Sequence, residues 1–247
     1  MFKKALLISM SAAIALAGTN ADDDKVTTLP QMTFDKEDLY SGYLPVTSSA
    51  TRSLHYLYVT SQNDPETDPV IVWFNGGPGC SSVLGWAQEH GPWVMEDGTD
   101  FFVRNDYSWN TFANVLYIES PGGVGYSLCN FDDEADCTYT DDSSAADNFD
   151  AIMYFFETLF PERQTNEIYI SGESYAGIYV PFVFDLLAQE KENPTKDFTI
   201  NLQGYMVGNG CTNWKHDNLG KYMLMAYWHG LIDDALYNKL NDNDCMD

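Results

Sequence analysis

Apolar runs and amphipathic segments alternate along this chain. Val70-Ile71-Val72-Trp73-Phe74 is continuously apolar and rich in β-branched side chains, the pattern of a strand buried on both faces. Asn114–Ile118, Ile168–Gly172 and Phe198–Val207 repeat it, and Leu54–Thr60 is a further strand candidate. Between these runs the spacing changes. Across Ser143–Phe160, apolar Phe149, Ile152, Met153, Phe156 and Phe160 recur every three or four residues. Asp141, Asp142 and Ser143 are N-cap candidates for that helix, and Pro161 ends it. Tyr175–Gln189 reads as a second helix and Ser81–Glu89 as a short one, while short helices are expected beyond Cys211. Buried strands alternating with amphipathic helices predict an α/β fold: a mainly parallel sheet with helices on both faces.

Two breaks in this pattern carry the candidate chemistry. Asn75-Gly76-Gly77-Pro78-Gly79-Cys80-Ser81-Ser82 follows directly on a buried strand. Glycines there let backbone N–H groups approach a ligand closely. The loop lacks the lysine of a phosphate-binding loop, so amide donors for an oxyanion fit it better. The second break, Gly172-Glu173-Ser174-Tyr175-Ala176-Gly177, lies between a buried strand and a helix. A serine on so sharp a turn has its hydroxyl pushed out at the carboxyl edge of the sheet, where the helix N-terminus favours developing negative charge. Taken alone, the motif is matched equally well by an ordinary strand-to-helix turn of small residues.

Composition narrows the choice. Hydrophobic residues make up 45%, enough for a sizeable core. With 12 basic and 37 acidic residues, the net charge of -25 argues against a nucleic-acid partner. Lys3 and Lys4, the short apolar run Ala5–Ala17 and the small residues up to Ala21 read as a secretory signal peptide over residues 1–21. That run is too short to span a membrane, so no membrane association is expected after its removal. Cysteines then belong to an oxidising compartment, where a local Cys129–Cys137 bridge and a Cys211–Cys245 bridge are the candidates and one of the five is left over. No zinc-type cluster is visible, and no metal or cofactor is expected.

Trp73–Ser82 and Gly172–Gly177 resemble the signature motifs of the serine carboxypeptidase family. Ser108-Trp109-Asn110, Ala113–Glu119, Gly123–Ser127, Phe160-Pro161-Glu162 and Tyr179-Val180-Pro181 resemble further blocks of that family, in the same order, between about Ser41 and Asn213. The resemblance implies an α/β-hydrolase fold, incomplete at the C-terminus. Residues 22–211 would form its N-terminal part and 212–247 the start of a helical cap insertion. It implies a serine-type carboxypeptidase that releases C-terminal amino acids from peptides and proteins through an acyl-enzyme. Ser174 would be the nucleophile, and the N–H groups of Gly77 and Tyr175 the oxyanion hole. Asn75, Gly76 and Glu173 would bind the substrate's terminal carboxylate, with Glu89 supporting Glu173. Two close carboxyl groups share a proton, so such a site would favour acidic conditions. The resemblance also places the protein in the secretory pathway, in a lysosome or vacuole or outside the cell.

The family's acid and base lie far downstream of the serine, whereas 73 residues follow Ser174 here (247 − 174). The chain is therefore expected to stop before the catalytic Asp and His. Neither His216 nor His229 is expected to serve as base. Cys80, which in the family pairs with a distant cysteine, would be the one left over. Two other readings stay open: a catalytically inactive secreted protein that binds peptide ends, and an acyltransferase using the same serine.

Overall fold

The computed structural model describes residues 20–243 and Cys245, apart from 97, 99, 214, 216 and 218. Most of the expected signal peptide, and His216, therefore lie outside the described residues. The chain divides into two compact units, residues 1–209 and 210–247.

The first unit is organised by strand β4, Val70–Phe74, in which every residue is buried. Its even-numbered side chains, such as Val72 and Phe74, enter one hydrophobic cluster, while Trp73 enters a second on the opposite face. This is the period-2 alternation of a strand covered on both sides. Six other strands share its sheet: β1 Lys25–Val26, β2 Leu39–Pro45, β3 Ser53–Val59, β7 Asn114–Ile118, β8 Ile168–Glu173 and β9 Leu202–Gly208. The order is β1-β2-β3-β7-β4-β8-β9. The four strands β7, β4, β8 and β9 run parallel, while β1, β2 and β3 form an antiparallel meander joined to β7. A separate hairpin joins β5, Trp93–Met95, to β6, Phe102–Arg104.

Two helices cover one face of the sheet, α1, Asp141–Tyr154, and α2, Ala176–Glu192. Val180, Val183 and Leu187 of α2 are fully buried at helical spacing against this face. The other face is covered by a π-helical turn, Gly85–Glu89, and by Trp86 and Trp109 packed around Trp73. Ser81–Glu89, expected as a short helix, is helical from Val83 and closes in this turn. The N-cap of α1 is Thr140, one residue before the candidates the sequence suggests. Its hydroxyl accepts the Ser143 N–H while the Ser143 hydroxyl accepts the Thr140 N–H, at 3.2 and 2.9 Å. Strand β2 escapes the sequence pattern because Ser41, Gly42 and Pro45 interrupt its alternation.

Cys129 and Cys137 form the expected disulfide. The Cys211–Cys245 bridge does not form: both are free, and the Cys245 thiol instead donates to the Asn243 carbonyl. The second unit contains α3, Leu219–Trp228, and α4, Asp234–Asn241, joined by stacking of Tyr227 on Tyr237 at 4.0 Å. Among the described residues no helix is long and apolar enough to cross a membrane.

An aromatic cluster fixes α1 to the sheet. The Phe155 ring, fully buried, lies 5.0 Å from Tyr58, 5.1 Å from Phe156 and 4.6 Å from Phe160. Phe155→Ala is expected to destabilise the first unit by about 3–5 kcal/mol, read as a lowered urea midpoint with unchanged slope.

Candidate active site

The site begins with the register of two neighbouring strands. In the parallel pair β4 and β8, Phe74 stands beside Gly172. The residues that follow, Asn75-Gly76-Gly77 and Glu173-Ser174-Tyr175, therefore leave the sheet side by side at its carboxyl edge, where open α/β sheets bind ligands.

Ser174 has a φ of 60°, the left-handed region that costs a non-glycine residue about 1–2 kcal/mol. Its neighbours hold it there. The Ser174 N–H donates to the Gly208 carbonyl of β9 at 3.0 Å, and its own carbonyl accepts the Gly177 N–H at 3.0 Å. A Cβ at Gly172 would stand 2.5 Å from the Ala176 methyl, so these two small residues of the motif are in mutual contact. A Cβ at Gly76 would collide with the Tyr175 amide and lie 2.8 Å from the Ser174 Cβ. The glycine loop thus presses directly on the serine turn. Gly77, at φ 113°, then turns the loop back, and the Cys80 N–H closes it onto the Gly76 carbonyl at 3.0 Å.

Asn75 is 1% exposed and fully bonded. Its Oδ1 accepts Trp73 Nε1–H at 2.9 Å and the Gly85 N–H at 3.0 Å. With that oxygen occupied by two donors, the Nδ2 group must face the carboxyl groups. It donates to Glu89 at 2.8 Å and to Glu173 at 3.4 Å. Burial raises the Glu89 carboxyl above its ordinary pKa; the Asn75 hydrogen bond works against this, and the charge of Glu173 adds to it. Asn75, Gly76, Glu89 and Glu173 are therefore one cluster beside Ser174, with the Gly77 loop and Tyr175 bordering it.

The described histidines belong to other networks. His90 follows Glu89, but its Nδ1 is bonded to the Tyr117 hydroxyl at 3.1 Å and its ring stacks on Trp109. Burial lowers its pKa to about 4, which keeps it neutral. His55 is bonded to Ser41 and to Glu119, each at 2.9 Å. His229 is in the second unit, where its Nδ1 donates to the Met225 carbonyl at 2.8 Å. Among the described residues, no histidine is hydrogen-bonded to Ser174.

Sequence reasoning missed two supports of the site. Glu119, 1% exposed, accepts the Ser81 hydroxyl, the Tyr126 N–H at 2.8 Å and the His55 ring. Burial alone would raise its pKa, but these hydrogen bonds outweigh burial and hold it below the carboxylate range. The glycine-rich loop is thereby tied to β3 and β7. Asp141 accepts the Tyr175 hydroxyl at 2.9 Å. Pro78, Gly79, Pro121, Tyr139, Asp141 and Tyr175 line a cleft of about 500 Å³ next to the serine turn. A lone Asp at a helix start reads as a cap, so no local signal distinguishes Asp141.

Comparison with known proteins agrees with this geometry. The family model for serine carboxypeptidases matches residues 30–247. The chain is 41% identical over 228 residues to mouse lysosomal protective protein, covering 91% of this chain and 44% of that protein. It is 37% identical over 242 residues to a Caenorhabditis elegans serine carboxypeptidase, covering 96% of this chain and 41% of the relative. It thus spans less than half the length of these two relatives. The crystal structure of Kex1, a prohormone-processing carboxypeptidase from Saccharomyces cerevisiae, superposes with a TM-score of 0.75 at 27% identity. That match covers 87% of this chain and 48% of the yeast chain, whose α/β-hydrolase fold this chain shares.

Asn75→Asp replaces the donor between two carboxyl groups with a third carboxylate. The raised folded-state pKa of Glu89 rises further above its unfolded value. Stability is then retained below the ordinary carboxylate pKa and lost as pH rises through the raised value. The expected loss is about 2–3 kcal/mol at pH 7.5 and well under half of that at pH 4.5, by urea unfolding at both. An equal loss at both would assign the effect to packing instead of charge.

Proposed function

The chain belongs to the serine carboxypeptidase family, and on that premise we propose that it carries the acylating and carboxylate-anchoring part of an enzyme that releases C-terminal amino acids. The reading rests mainly on one observation: the Asn75 amide is turned toward Glu89 and Glu173, one residue from Ser174. A substrate carboxylate in that cluster accepts hydrogen bonds from Asn75 Nδ2, the Gly76 N–H and a carboxyl group kept protonated between Glu89 and Glu173. Binding through a free carboxylate restricts cleavage to a chain end.

The Ser174 hydroxyl then attacks the scissile carbonyl, and the N–H groups of Gly77 and Tyr175 receive the oxyanion. Collapse breaks the C–N bond, the amino acid leaves with a proton, and an ester to Ser174 remains for water to hydrolyse. A base must take the hydroxyl proton, and none of the described histidines is assigned that step. The Cys129–Cys137 disulfide supports an oxidising compartment, and the lysosomal relative supports a lumenal location within the secretory pathway.

The test uses protein expressed from the complete transcript and an N-blocked dipeptide. Hydrolysis is expected for the free acid, with kcat/KM lower by about 10²-fold or more for the C-terminal amide. Ser174→Ala should remove at least about 10⁴-fold of the rate. Equal cleavage of acid and amide would defeat the carboxylate anchor. Tight binding of the acid without turnover would leave a peptide-end-binding protein.

The pH dependence has a definite sign. The raised Glu89 pKa keeps its proton to higher pH than an ordinary glutamate. KM should stay low in acid and rise as pH passes through that raised value. Glu89→Gln keeps an uncharged donor at every pH and should flatten the rise, measured as KM from pH 4 to 8.

A further inference from the structure

The two amides assigned to the oxyanion hole belong to different segments. Gly77 lies in the loop after β4, and Tyr175 begins the turn into α2. Packing of Gly76 on the Tyr175 amide brings them together. A hydrogen bond made by the Tyr175 side chain adds a restraint on the Tyr175 side.

Tyr175 is the N-cap residue of α2 and makes no side-chain cap. Its hydroxyl instead reaches across to α1 and donates to Asp141 at 2.9 Å. The acceptor stands on firm ground. Asp141 is the first residue of α1, inside the Thr140–Ser143 capping box. Tyr139, two residues before it, lies under the Arg52 guanidinium at 5.2 Å and donates to the Asp136 carbonyl at 3.2 Å. Arg52 is paired with both Asp136 and Asp147, at 3.1 and 2.8 Å, and the Cys129–Cys137 disulfide closes the same loop.

Tyr179, one turn further along α2, packs edge-on against Tyr175 with ring centres 5.2 Å apart. It is 3% exposed and lines the cleft beside the serine turn together with Pro78 and Gly79. The Tyr175 hydroxyl bond to Asp141 thus holds the turn that bears the Tyr175 amide.

We propose that Asp141 is a positioning residue for the oxyanion hole, acting through the Tyr175 hydroxyl. The inference rests on the carboxypeptidase reading given above, and it adds that the place of the Tyr175 amide is set in part from α1.

The experiment uses the product of the complete transcript, with an N-blocked dipeptide as substrate and an N-blocked amino aldehyde as tetrahedral analogue. Asp141→Ala should lower kcat by about 10- to 100-fold, with KM changed by less than about threefold. Affinity for the aldehyde should fall by the same factor as kcat. Asp141→Asn, which keeps an acceptor for the Tyr175 hydroxyl, should restore most of the loss. The Asp141→Ala/Tyr175→Phe double variant should be no worse than either single variant. A change in KM alone, an unchanged aldehyde affinity, or an asparagine no better than alanine would overturn the proposal. Should Asp141→Ala fail to fold, Tyr175→Phe, which removes the same hydrogen bond, decides. Wild-type protein that neither cleaves the dipeptide nor binds the aldehyde overturns the functional reading, and this inference with it. Wild-type activity with silent variants overturns this inference alone.

Discussion

The close approach of the Gly76 loop to the serine turn is the constraint on which the rest of the site depends. Parallel pairing of β4 with β8 brings Phe74 beside Gly172, so the next residues of both strands emerge together. Any side chain at Gly76 would drive into the Tyr175 amide, and any at Gly172 into the Phe74 carbonyl and the Ala176 methyl. Steric exclusion at two glycines therefore puts the candidate nucleophile, the proposed oxyanion donors and the proposed carboxylate anchor within one turn of each other. The strained φ of Ser174 is sustained by the same packing.

Electrostatics then give the cluster its selectivity. The chain is strongly acidic, yet the carboxyl groups at the site are arranged, not merely abundant. Asn75 has its oxygen occupied by Trp73 and Gly85, which leaves only its amide hydrogens for Glu89 and Glu173. Burial then favours retention of a proton at Glu89. In the proposed reading, an anionic chain end is held there by Asn75 and a protonated carboxyl group, provided the medium is acidic enough to keep that proton. Arg52 is committed elsewhere, to the loop that supports α1.

Much of this was legible in the residues. The buried runs at Val70–Phe74, Asn114–Ile118 and Ile168–Gly172 became β4, β7 and the body of β8, because consecutive β-branched and aromatic residues suit only a strand covered on both faces. The glycine loop and the Gly172–Gly177 turn stood out for the same reason: small residues at fixed spacing mark places where backbones must touch. Strand β2 and the β5–β6 hairpin were not legible, since their formation depends on partners distant in sequence.

The sequence by itself determined the motifs, the alternation of strand and helix, and the residue types available for acylation and carboxylate binding. Local patterns suffice for these, because periodicity and glycine placement act over a few neighbours. Only the tertiary structure decided which way the Asn75 amide faces and that Glu89 and Glu173 meet at it. It likewise decided that Tyr175 is tethered to Asp141, 34 positions earlier in the chain, and that Glu119 ties Ser81 to His55. Those contacts join residues tens of positions apart. Strand register and helix packing create them, and neither is encoded in any short stretch of the chain.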